Sequence, residues 1–375
     1  MSFPISFGWF IPTTGDGRYV GVPAERESTT AYMVQVAQAA ERAGYEFTLI
    51  PTGGACVDAW VIGSWIAAHT TKLKPLVAMR PGLMNPVLAA RMAASLDKLS
   101  DGRALINVVT GHYAEDLKAM GDALYDRHDD RYNRTREFLE VVKGVWQEQG
   151  FDYEGEHYQV TGGSCQPPVV QSPHPPLYFG GSSPAGKRVA AEVADVYLMW
   201  IEPLEWIQSQ IEEMKGYLHE LAERKGVKRS LRYGLRAQVI VRETEEEAWK
   251  QAEEIISKAS PEVKAAAEQR HANTDATNQR RQIELFQQSK ASNHIIGPNL
   301  WSGLSAIRGG GAVAFVGTPD QVSDRILEFY DLGVTTFILS GYPHLEEAQT
   351  TGDLLLPLVR RKLAQRGGDS DAANL

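Results

Sequence analysis

The sequence predicts a (β/α)8 TIM barrel, an α/β fold of eight parallel strands and surrounding helices, enlarged by insertions. Three observations point to it. Eight short runs rich in β-branched and aromatic residues alternate with stretches of helical periodicity along the 375-residue chain. Most of these runs are apolar almost without interruption, the pattern of strands buried on both faces in a parallel sheet. The segments that follow the runs are dense in Gly, hydroxyl, Arg and aromatic residues, as expected at the strand ends where a barrel collects its chemistry. A doubly wound sheet is the alternative; it needs no closure and usually has fewer strands.

The predicted strands are ISFGWFI (5–11), YEFTLI (45–50), LKPLVAM (73–79), ALINVV (104–109), PLYFG (176–180), DVYLMW (195–200), YGLRAQVIV (233–241) and TTFILS (335–340). Between them, TAYMVQVAQAAERAG (30–44) has helical apolar spacing and a terminal Gly, a stop signal. NPVLAARMAASLDKLSDG (85–102) opens with Asn-Pro and ends in Gly, and DQVSDRILEFYDLG (320–333) repeats that logic behind Pro319. Two segments exceed a minimal barrel. Residues 150–175 read as a small β-rich excursion, and residues 258–316, first polar and then Gly-rich, read as a mobile lid between the seventh and eighth strands. A single domain over 1–360 with a flexible tail at 361–375 is expected.

Bulk composition narrows the function. Hydrophobic residues make up 43% and charged residues 23%, enough for a large core, and the net charge of −9 argues against nucleic acid or an anionic membrane as partner. No run approaches the roughly 18 apolar residues of a membrane span. The start, MSFPISFGWFIP, has no charged leader before an apolar run, so a cytoplasmic protein is expected. Cys56 and Cys165 are too few for a disulfide scaffold, and no metal-ligand spacing surrounds them.

Behind the first four strands come PTTGDG, PTGGACVD, RPGLMNP and TGHYAED, and behind the fifth, sixth and eighth come GGSSPAG, WIEP and GYPHLEE. These hold no paired carboxylates, no Ser-His-Asp order and no metal cluster, so an organic cofactor is expected to carry the chemistry. FGGSSPAG (179–186) leads a strand through two glycines into Ser182, Ser183 and a helix opening with Pro184. That arrangement suits a phosphate, or equally a plain βα turn with a serine cap. Tyr342 and His344 follow the eighth strand as site residues or as solvated turn residues. Trp200 and Cys56 read as pocket or core, and His128 and Tyr132 open a helix whose charged face is ordinarily only solvated. The seventh strand carries Arg236 and Gln238 two positions apart, hence on one face. A charge there is costly unless an anion or good hydrogen bonds meet it.

Taken in order, WFIPTTGDG, IPTGGACVDAW, DKLSDGRALINVVTG, PPLYFGGSS, PNLWSGLSAIRGGG and LSGYPHLEEA resemble the bacterial-luciferase-like flavin monooxygenases, nearest to the alkanesulfonate type, from the first strand to about residue 358. The resemblance implies reduced FMN supplied by a separate NAD(P)H:flavin reductase, O2, a flavin (hydro)peroxide, and C–S cleavage of an alkanesulfonate to aldehyde and sulfite. It places the isoalloxazine near Met79, Asn107 and Thr110, and the phosphate at Gly181, Ser182 and Ser183 with His128 and Tyr132 nearby. Arg236, Arg308 and Tyr342 become catalytic, and Cys56, Trp200, Gln238, His344 and Thr14 become substrate-binding. A homodimer or homotetramer is implied as well. The chain departs from the sulfonate pattern where Thr14 and Gln238 stand at positions that are typically histidine. Gln238 both donates and accepts, which suits an amide-like or carbonyl edge. The same chemistry on riboflavin, splitting it into lumichrome and ribose, is therefore the alternative. Hydride transfer with a deazaflavin and non-catalytic flavin binding are two further readings.

Overall fold

The protein is represented by a computed structural model that describes residues 4–111, 113–272 and 274–372. In chain order the strands are β1 (Ser6–Phe10), β2 (Phe47–Ile50), β3 (Lys74–Met79) and β4 (Leu105–Val108), then β5 (Phe151–Glu154) and β6 (Gln159–Gly163). There follow β7 (Leu177–Phe179), β8 (Val196–Trp200) and β9 (Arg232–Val241), then β10 (Ile295–Gly297), β11 (Leu300–Trp301), β12 (Ala314–Gly317) and β13 (Val334–Ser340). Eight of them close a parallel barrel: β1 pairs with β2 and β13, the series continues through β3, β4, β7 and β8, and β9 joins β8 to β13. These are the eight runs expected as strands, and β5 and β6 form the hairpin of the expected β-rich excursion.

Local sequence explains the boundaries. The Asn85 side chain accepts from the amides of Val87 and Leu88, with Pro86 at the first helical position of Pro86–Leu99. Thr318 and Gln321 form a reciprocal capping box on Pro319–Asp331, and that helix stops at Gly333, whose φ of +100° a side chain would resist. Outward-facing strand residues pack on the helix ring in one large core, with a separate cluster around Ile240, Ala314 and Val316. A smaller cluster of Phe47, Leu49, Leu76, Leu105, Tyr178, Val196, Leu198 and Ile338 comes from six of the barrel strands and fills the interior.

The register decides what β9 presents. Arg236 lies beside Ile338 of β13 and Trp200 of β8, and Gln238 lies beside Ser340. In parallel strands, registered neighbours share a face, so Arg236 and Gln238 point into the barrel at its C-terminal end. Past Arg236, β9 leaves β8 and takes β12 as its second neighbour. The segment 258–316 thus differs from a plain lid at its end: Ala312 to Val316 are fully buried, and β12 joins the main sheet. Its uninterrupted apolar run, AVAFV, directly follows the glycines. The final helix, Leu356–Ala372, enters the stretch expected as a tail, of which residues 373–375 lie outside those described. Among the described residues no helix is long and apolar enough to cross a membrane.

Candidate active site

The C-terminal ends of the barrel strands open into a cavity of about 650 Å³. Eight of the expected site residues line it: Thr14, Cys56, Asn107, Trp200, Arg236, Arg308, Tyr342 and His344. Arg236 forms its floor. It is 6% exposed, its guanidinium lies 4.8 Å from the Phe10 ring centroid, and burial, with repulsion from Arg308, pushes its pKa down to about 9. Its Nη1 donates to the carbonyls of Ala237 and Ile338, and its Nη2 to Ser340 Oγ at 2.7 Å. The Ser340 hydroxyl in turn donates a hydrogen bond to Gln238 Oε1 (2.7 Å), and Gln238 Nε2 donates to the Gly311 carbonyl (3.2 Å). Gln238, expected to bind substrate, does not line the cavity; it is tied to Arg236 through Ser340 and to the glycine run through Gly311.

The run Arg308–Gly309–Gly310–Gly311 closes over this floor, and space requires its glycines. A Cβ on Gly311 would come within 2.9 Å of Arg236 Cγ, and one on Gly309 within 2.6 Å of the Tyr113 hydroxyl. Gly310 N donates to Gln279 Oε1 at 2.8 Å. Arg308 Nη1 donates to the Tyr342 hydroxyl, with its guanidinium carbon 6.0 Å from that ring. The insertion is fastened beyond this loop too. Arg281 pairs with buried Glu202 at 2.5 Å, Gln282 Nε2 donates to the Ile201 carbonyl, and Arg131 pairs with Asp275 at 2.6 Å.

A second side of the cavity holds a buried acid–imidazole pair that sequence reasoning missed. Asp16 Oδ2 accepts from His344 Nδ1 (3.0 Å) and from the His344 backbone N–H (2.5 Å), while Oδ1 accepts from the Tyr32 hydroxyl (2.7 Å). Burial alone would raise the Asp16 pKa; the hydrogen bonds and charge of His344 and the bond from Tyr32 bring it below the usual carboxylate value. Burial holds His344 below the usual histidine value, against the pull of Asp16. Asp16 stood in the PTTGDG segment, but no sequence signal paired it with a residue 328 positions away. Arg270, His271 and Tyr113 also line the cavity; Tyr113 comes from the TGHYAED segment and the other two from the insertion, and none of the three was singled out by the sequence.

The remaining candidates gather elsewhere. Ser183 caps the helix Pro184–Val193 by accepting from Gly186 N (3.2 Å), and the Tyr132 hydroxyl hydrogen-bonds Ser183. Tyr132 stacks edge-on to His128 at 5.0 Å, and Gly181 lies so close that a Cβ there would meet the Tyr132 hydroxyl at 3.0 Å. Ser182 Oγ is buried and has no partner among the described residues. This cradle adjoins the cavity through Gly180. Met79 is fully buried in the core and Thr110 is buried after β4; neither lines the cavity.

The model of the luciferase-like monooxygenases matches residues 5–336. The chain belongs to that family. It is accordingly a flavin-dependent monooxygenase, and its barrel has solved counterparts. A riboflavin lyase, solved with modified FMN and its substrate riboflavin, is 22% identical with a TM-score of 0.78, over 96% of this chain and 92% of that one. EDTA monooxygenase from Chelativorans sp. BNC1 is 19% identical (TM-score 0.77, 96% and 94% covered), and a long-chain alkane monooxygenase is 20% identical (0.78, 96% and 92%). At these identities the likeness is one of fold. This luciferase-like monooxygenase has residues that fit a flavin phosphate: an orphaned serine hydroxyl, a helix N-terminus and a buried tyrosine converge where an anion would be bonded.

Proposed function

We propose that the protein is the oxygenating component of a two-component system that cleaves the C–S bond of an alkanesulfonate. One observation carries this reading. Arg236, Arg270 and Arg308 line one cavity, and none has a carboxylate partner among the described residues, although the chain as a whole carries net charge −9. Among the described residues, Asp16 is the one carboxylate that lines the cavity, and it is engaged by His344. Guanidiniums without a carboxylate partner in a concave site favour an anionic substrate.

Reduced FMN, delivered by a separate NAD(P)H:flavin reductase, supplies the activation of O2. Ser182, Ser183 and Tyr132 are the residues to hold its phosphate. The chain's own groups do the rest. Arg308 and Arg270 bind the sulfonate, while Arg236, its donors already engaged, acts as a fixed positive charge under the reacting centre. The Tyr342 oxygen accepts from Arg308, leaving its own O–H to donate to a developing oxyanion. The glycine run excludes water. Overall the alkanesulfonate, O2 and reduced FMN yield aldehyde, sulfite, oxidised FMN and water.

A second reading rests on Thr14, a neutral group on the cavity wall. It, and a cavity roomy enough for a fused heterocycle, suit riboflavin, the substrate named for one structural counterpart. The test supplies purified protein with FMN, a flavin reductase, NADH and oxygen, and offers short- and long-chain alkanesulfonates and riboflavin. Sulfite release is expected. Lumichrome without sulfite would move the assignment to riboflavin, and oxidation of reduced FMN with neither product would reject both.

A further inference from the structure

We propose that Asp16 and His344 form the proton-transfer dyad of this cavity, with His344 Nε2 as the base that removes a proton from the bound substrate. The inference deepens the monooxygenase reading of the same site and rests on it for the identity of the proton donor. Three observations carry it. His344 lines the cavity while being 3% exposed. Its Nδ1 faces Asp16 Oδ2 at 3.0 Å, and an aspartate can only accept, so the ring proton sits on Nδ1. Its Nε2, which then carries the lone pair, is buried with no partner among the described residues. A buried imidazole nitrogen with nothing to bond is costly unless a ligand completes it.

The surroundings keep that nitrogen basic but unprotonated. Asp16 faces it from the loop after β1, itself bonded by Tyr32 of the helix Thr30–Arg42. Arg236 of β9 and Arg308 of the insertion oppose a positive charge on the ring. Tyr342 crosses it edge-on at 5.0 Å, and Trp9 and Phe10 pack at 6.4 and 5.9 Å. On its own helix, Glu346 is paired with Arg26 and Glu347 with Arg242. With burial the leading cause, the ring is neutral near pH 7. In the step itself, an acidic C–H or O–H bond of the substrate breaks, the electron pair stays on the substrate atom, and the proton goes to Nε2. The imidazolium so formed is opposed by the Asp16 carboxylate.

Asp16 also bonds the first amide of the helix His344–Leu354, whose cap residue, Pro343, offers no side-chain bond. A purely capping role is therefore the competing explanation. Asp16→Asn separates the two, since asparagine can still accept at the helix end but brings no charge. The first measurement is NMR of the protein with nitrogen-labelled histidine rings, His344→Gln assigning the resonance. Expected is the neutral Nδ1–H form at neutral pH, protonating only below the ordinary histidine range, with Asp16→Asn shifting the ring toward Nε2–H. An Nε2–H ring or an imidazolium in the unaltered protein at neutral pH would overturn the proposal. The second measurement is sulfite or lumichrome formation under saturating reduced FMN. His344→Gln should lower kcat about 100-fold with little change in KM, and Asp16→Asn about tenfold, moving the acid limb of the pH profile. Wild-type kcat in His344→Gln would also overturn it. If the unaltered protein forms neither product, the substrate reading fails while the ring titration still decides the dyad.

Discussion

The serine cradle and the arginine cavity are neighbours at one end of the barrel, yet they are built in opposite ways. The cradle draws Gly181, Ser182 and Ser183 from one βα turn, adds Tyr132 from one helix, and needs a single cap to be in place. The cavity draws on the loop after β1, on β4, β8 and β9, on the loop after β13, and on two parts of the insertion. Its floor is a relay from Arg236 through Ser340 to Gln238 and Gly311 that spans 104 positions of sequence. A cofactor's phosphate is a constant that a local turn can meet. A substrate is met by charges brought from several elements, so its specificity is open to change at each of them.

Substitutions should separate the two regions, beginning with the largest effect. Arg308→Ala removes the cation that bonds Tyr342 and part of the closing loop. A loss of about 100-fold or more in kcat/KM is expected, equivalent to roughly 3 kcal/mol, with FMN affinity unchanged. Wild-type turnover would take Arg308 out of the mechanism, and a matching loss of FMN binding would erase the distinction between the regions. Ser182→Ala should do the reverse. It weakens FMN about tenfold in a fluorescence titration, in line with roughly 1.5 kcal/mol for a hydrogen bond to a charged group, and leaves the melting temperature of the cofactor-free protein unchanged or higher. Its hydroxyl has no partner to lose there. A lowered melting temperature without FMN would show that the serine is structural.

The smallest effect is on stability against pH. In the folded state both His344 and Asp16 have pKa values below their ordinary ones, so the unfolded chain binds more protons as the pH falls. The contribution of His344 is complete above the ordinary histidine range and is lost on descending through it; that of Asp16 is lost further down, in the carboxylate range. Melting followed from about pH 7.5 to about pH 5 should show a lower transition temperature at the acid end, and the decline should be shallower in His344→Gln. An equal decline in both would place the sensitive histidine elsewhere, with buried His174 the first candidate.

What the amino-acid sequence determined by itself was whatever short range controls. Strand runs, the Asn85-Pro86 helix start, the helix behind Pro319 and the Ser183 cap are each settled by bonds within a few residues, and the structure places them as read. The arginine at 236 could be recognised as misplaced on an apolar strand, because alternation along one strand is also local. Its partners could not be named. Ser340 and Gln238 meet only through the β9–β13 register, and Gly311 reaches Gln238 only because β12 brings the insertion back beside β9. Asp16 and His344 belong to this second class too, joined across 328 positions by barrel closure. The tertiary structure alone decided these contacts, because they depend on how eight strands close and how an insertion returns to them. Sequence spacing carries neither quantity.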